Sequence, residues 1–138
     1  MRFVVVESPY RARTEFELSL NLAYARALVR FVSLRGDWPF ASHLDLTQGL
    51  DDRDPAEREL GIIAGLARLR VADIHLFGLD LGISEGMKRA QKATPGRCSV
   101  EQCSLPEWAE AMKAYGHGDR ESVDALIAKF QPLWHVHE

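Results

Sequence analysis

Ile74-His-Leu-Phe77 and, just beyond it, Asp80-Leu-Gly-Ile-Ser-Glu-Gly-Met87 decide how this chain is read. The first is a short apolar run that ends a strand; the second is a Gly/Ser turn leading into a helix-like run near Lys88. A strand, a turn and a helix in that order bring free backbone N–H groups and the positive end of a helix dipole to one point. Such a point suits a phosphate or another anion. The same residues also make an ordinary strand-to-helix turn, in which Gly82 and Gly86 supply unusual φ values and Ser84 caps the helix.

Outward from this unit, strands and helices alternate. Phe3-Val-Val-Val6 has the continuous apolar character of a strand buried on both faces. Thr14 to Leu34 reads as a long helix, with Phe16, Leu20, Ala23, Ala27, Phe31 and Leu34 forming one apolar stripe before Gly36 stops it. Trp38 to Ser42 is the second strand, and His43 to Asp54 a polar loop. Asp54 caps a helix that begins at Pro55 and runs to about Leu69, with Ile62, Ile63, Leu66 and Leu69 facing inward. Ala72 to Phe77 is the third strand and Arg97 to Ser104 the fourth. Pro106 to Tyr115 and Arg120 to Phe130 are closing helices. This alternation predicts an α/β protein with a mostly parallel sheet of four to five strands, covered on both faces. One domain spanning 1–138 is expected, with 106–138 a helical C-terminal extension.

Composition narrows the function classes. The chain has 138 residues, 46% of them hydrophobic and 27% charged, with a net charge of −3 and scattered basic residues. That balance argues against a nucleic-acid-binding surface and leaves room for a local basic pocket. No apolar run reaches membrane-spanning length, so no membrane role is expected. The start, Met1-Arg2 before Phe3, is too short for a signal peptide. Cys98 and Cys103 match no zinc motif, and their odd spacing would place them on opposite faces of one strand. They read as reduced thiols of a cytoplasmic protein. His135 and His137 lack a third metal ligand, and nothing points to a metal or redox cofactor. Trp38, Trp108 and Trp134 suit either core or interface.

In parallel α/β sheets ligands lie beyond the carboxyl ends of the strands. Three segments fall there: Glu7 to Arg11, Ser42 to Gln48, and Asp80 to Met87. Glu7 directly follows three valines, so its carboxylate is partly desolvated and suited to act as nucleophile, general acid/base or sugar-hydroxyl acceptor. A structural role, pairing with Arg11, explains it equally simply. Ser8, Tyr10 and Arg11 flank the same cleft; Tyr10 is suited to stacking and Arg11 to a phosphate. His43, after Ser42, is a candidate general acid, and Gln48 a reader of a base edge. Asp80 is placed to hold a ribose hydroxyl or to fix its own turn. Gly82, Ser84, Glu85, Gly86 and Met87 make the anion loop. The catalytic candidates are thus Glu7, His43 and Asp80.

Taken together, Glu7-Ser-Pro-Tyr10, Asn21-Leu-Ala-Tyr-Ala25, Pro39-Phe-Ala-Ser-His-Leu44 with Gln48, Glu57-Arg-Glu-Leu-Gly61 and Asp80-Leu-Gly-Ile-Ser-Glu-Gly-Met87 resemble the nucleoside 2-deoxyribosyltransferase-like superfamily, and more closely a phage and bacterial branch of it. The resemblance spans about Phe3 to Leu105. It implies a flavodoxin- or Rossmann-like three-layer sandwich, a nucleotide or nucleoside ligand, and a homo-oligomer. It also implies chemistry at the N-glycosidic bond: transfer of deoxyribose between bases, or hydrolysis of nucleoside monophosphates to base and sugar phosphate. In such proteins the Ser/Gly loop, matched by Ser84 and Gly86, holds the 5′-phosphate. A glutamate on the next helix attacks the anomeric carbon or supports the attacking water. The pattern puts it at position 90, where this chain has Ala90. That departure leaves the carboxylate role to Glu7, Asp80 or Glu85, or leaves a protein that binds a nucleotide-like ligand without turning it over. Glu7 is favoured, since an oxocarbenium-like transition state needs a negative group near the anomeric carbon and a strand end can present one.

Overall fold

A computed structural model describes residues 1–132. Its elements run β1 (Phe3–Glu7), α1 (Glu15–Leu34), β2 (Trp38–Phe40), α2 (Ser42–Asp45), α3 (Pro55–Arg68), β3 (Ile74–Gly78), α4 (Glu85–Lys92), β4 (Ser99–Cys103), α5 (Pro106–Gly116) and α6 (Glu121–Lys129). A single 3-10 turn, Leu46–Gln48, follows α2. The four strands form one parallel sheet in the order β2-β1-β3-β4. The architecture is the three-layer α/β type of Rossmann and flavodoxin folds.

Register assigns each strand residue to a face. Val4 and Val6 of β1 and Ile74 and Leu76 of β3 join Leu20, Tyr24, Leu28 and Val32 of α1, together with Trp108 of α5 and Val123 of α6, in the larger core. The closing helices therefore share the core of the sheet. Val5 lies on the opposite face with Leu69, Ala72 and Cys98. The two free thiols are thus buried in different layers, Cys98 in the smaller core and Cys103 in the larger.

Several element limits differ from those read along the sequence. The inward row of α1 is Leu20, Tyr24, Leu28, Val32, at steps of four, which leaves Phe31 and Leu34 exposed. β2 stops at Phe40, because Ala41 starts α2 in a stretch read as strand and loop. α4 begins at Glu85, three residues before Lys88, because Ser84 caps it. Within α3 only Gly65 is buried, and Ile63, read as inward, points out. Among the described residues no helix is long and apolar enough to cross a membrane. Trp134, His135 and His137 lie outside the described residues.

Candidate functional site

The chain leaves β1 toward β2 and leaves β3 toward β4, in opposite directions, so β1 and β3 flank the point where the strand order reverses. In sheets of this type the loops that diverge at such a point border the ligand crevice at the carboxyl edge. Glu7 ends β1 on that edge, and β1 and β3 pair Val5 with His75 and Glu7 with Phe77. Glu7 and His75 are therefore diagonal neighbours on one face, within reach of each other.

His75 is fully buried, with no exposed surface, and both its ring nitrogens are engaged. Nε2 lies 2.9 Å from Glu7 Oε1, and Nδ1 lies 2.7 Å from Thr94 Oγ1. An ionised carboxylate only accepts, so Nε2 carries the hydrogen and donates it to Glu7. Nδ1 shares a hydrogen bond with the Thr94 hydroxyl. Thr94 follows α4, and its hydroxyl donates to the Ala90 carbonyl at 3.3 Å. The result is a chain, Thr94 to His75 to Glu7, that fixes the carboxylate through Oε1. Oε2 has no hydrogen-bond partner among the described residues, and the Glu7 side chain keeps 17% exposure.

Beside it, Ser8 and His43 are both buried, with Ser8 Oγ 2.7 Å from His43 Nε2. Burial pushes the His43 imidazole below its ordinary pKa, and the nearby Glu7 charge opposes that shift. The neutral ring can take the Ser8 hydroxyl proton in its hydrogen bond. His43 is held here because α2 turns sharply at Ala41 and because Ser42 packs against Gly65 of α3.

The other candidates divide into separate groups. Tyr10, Arg11 and Gln48 line an open cleft of about 920 Å³ between the β1–α1 loop and the segment leading into α3. Asn21 Nδ2 donates to the Tyr10 carbonyl at 3.1 Å and ties that loop to α1. Arg58 and Asp52, 3.8 Å apart, form part of the opposite wall. Glu7, Ser8 and the Ser84 loop are not among the residues lining this cleft.

Ser84, Glu85, Gly86 and Met87 form the first turn of α4. Ser84 Oγ accepts from the Met87 N–H at 3.2 Å, while the N–H groups of Glu85 and Gly86 have no protein acceptor among the described residues. Glu85 pairs with Lys88 at 3.1 Å, both side chains exposed. Gly82 has the left-handed φ of +89° expected of it, whereas Gly86 is helical and needs no special φ.

Asp80 is fully engaged. Its carboxylate accepts from Tyr24 Oη at 2.8 Å, Ser104 Oγ at 2.6 Å and the Leu105 N–H at 2.8 Å. Its own N–H donates back to Tyr24 Oη at 3.0 Å. Burial, with the Asp80 charge beside it, drives the Tyr24 phenol well above its ordinary pKa and keeps it a donor. Asp80 therefore ties the β3–α4 turn to α1 and to the start of α5, the turn-fixing role that the sequence also allowed.

His75 and Thr94 went unread in the sequence. The available signal was a histidine inside an apolar run, since a buried imidazole requires partners. Its parity with Glu7 only becomes visible once β1 and β3 are in register.

Comparison with curated proteins and with solved structures gave no match. A family model described as a domain of unknown function, DUF7768, matches residues 2–101, which takes in β1 through the middle of β4 and every candidate above. The chain belongs to the DUF7768 family.

Proposed function

We propose that this protein binds a nucleotide or nucleoside at the carboxyl edge of its sheet and acts on the N-glycosidic bond through Glu7. The observation that carries this reading is the Glu7–His75 pair: one carboxylate oxygen is fixed at 2.9 Å by a buried imidazole and the other has no partner among the described residues. Cleavage of an N-glycosidic bond builds positive charge at the anomeric carbon. A carboxylate held in one orientation before reaction stabilises that charge without reorganising. The Ser84 turn, with two unbonded N–H groups, suits the phosphate, and the neutral Ser8–His43 pair lies beside Glu7 to exchange a proton with the leaving base.

The test is chromatography of purified protein mixed with nucleosides and nucleoside monophosphates, with released base as the readout. Release by the parent chain, with a loss of about a hundredfold or more in Glu7→Gln, supports the assignment. Equal rates in parent and variant remove Glu7 from it.

A second reading, binding without turnover, is favoured by one observation. Ala90, where the superfamily pattern carries its catalytic glutamate, is buried at 4% exposure, so α4 brings no carboxylate inward there. A thermal shift with intact ligand and no released base selects this reading over the first.

A further inference from the structure

The face of α3 turned away from the sheet carries Ala56, Leu60, Ile63 and Ala67, all exposed, Leu60 at 58% and Ile63 at 55%. Steps of four, three and four put these residues on one line, the spacing of a seam that packs against another helix. Their order is small, large, large, small, so the line is symmetric about its midpoint in both spacing and bulk. Reversing the helix end for end reproduces it. The charges are not symmetric. Asp54, which caps the helix, and Glu57, which accepts from the Asp51 N–H, stand at the start of α3 without an ion pair among the described residues; Arg68, whose guanidinium lies over the Phe40 ring, and Arg70 stand at its end, likewise without one. A parallel pair would set like charges together; an antiparallel pair sets acid against base and opposes the two helix dipoles.

We propose that the outer face of α3 is an isologous interface with a second copy of this chain, the two α3 helices crossing antiparallel about a two-fold axis between Leu60 and Ile63. Leu60 of each copy packs on Ile63 of the other, and Ala56 on Ala67. The basic end of each helix lies over the acidic start of its counterpart. Pro55 and Arg58 at that start also line the Tyr10–Gln48 cleft, so the second copy sits at the rim of the cleft. The proposal is independent of which ligand the protein binds.

Light scattering on the full chain after size exclusion is expected to give twice the monomer mass, and Leu60→Glu with Ile63→Glu to return the monomer mass with unchanged circular dichroism. Cysteine cross-linking tests orientation in a nearly native chain, the two natural thiols being buried. Ala56→Cys mixed with Ala67→Cys forms a disulfide-linked dimer under mild oxidation. Ala56→Cys alone does not, because antiparallel packing holds its two copies roughly 16 Å apart at the rise of an α-helix, well beyond disulfide reach. A monomer at every concentration, a dimer that survives the double glutamate variant, or a cross-link by Ala56→Cys alone overturns the proposal.

Discussion

An imidazole in the middle of a parallel strand is tolerated only when its polar atoms are bonded, and His75 meets that condition through Glu7 and Thr94. His75→Leu leaves the Glu7 carboxylate and the Thr94 hydroxyl without their partner. It is expected to lower stability by about 1–3 kcal/mol in urea denaturation. His43 carries a prediction for pH. Its pKa is depressed in the folded protein, so between its folded value and the ordinary 6.5 the unfolded chain binds more protons. The contribution of neutral His43 is therefore complete above pH 6.5 and declines as pH falls below it. The urea midpoint should drop between pH 7.5 and 5, and His43→Gln should flatten that part of the profile. Glu7 stood out in the sequence because a charge directly after three valines is anomalous in itself. His75 was not, because its meaning depends on a partner 68 positions away.

Between elements, α1 crosses close over the end of β3 at the carboxyl edge of the sheet. A Cβ added at Gly78 would meet Leu28 Cδ1 at 2.5 Å and Tyr24 Oη at 2.7 Å. Gly78→Ala should therefore destabilise by about 1–3 kcal/mol through overpacking. Because Tyr24 also holds Asp80, the substitution should loosen the β3–α4 turn as well. Increased hydrogen exchange at Leu79 to Ile83 is the check; unchanged exchange there would show that α1 and the turn are uncoupled. The helical pattern of α3 was legible from its cap and its proline, while its inward face was not. Ile62, Ile63 and Leu66 are all apolar, and the placement of Gly65 against Ser42 and of Leu66 and Leu69 in the smaller core fixes the helix rotation that leaves Ile63 outside.

For the molecule as a whole, two cores on either side of one sheet each bury a cysteine, and burial raises both thiol pKa values. Ellman's reagent should therefore react slowly with the native protein and reach both thiols together on unfolding. Fast reaction of one thiol in native buffer would show that its layer opens independently. The order of the four strands and the longer helices, the parallel sheet and the opposite placement of the cysteines followed from the sequence alone. Those properties rest on short-range physics: periodicity, caps, turn glycines and the alternation of a strand. The tertiary structure decided the rest. It made Asp80 an anchor, gave Glu7 its histidine, separated the Tyr10–Gln48 cleft from the Ser84 turn, and turned an apolar row of α3 outward. Each of these depends on strand register or helix rotation, and a shift of one residue in either would exchange buried and exposed faces.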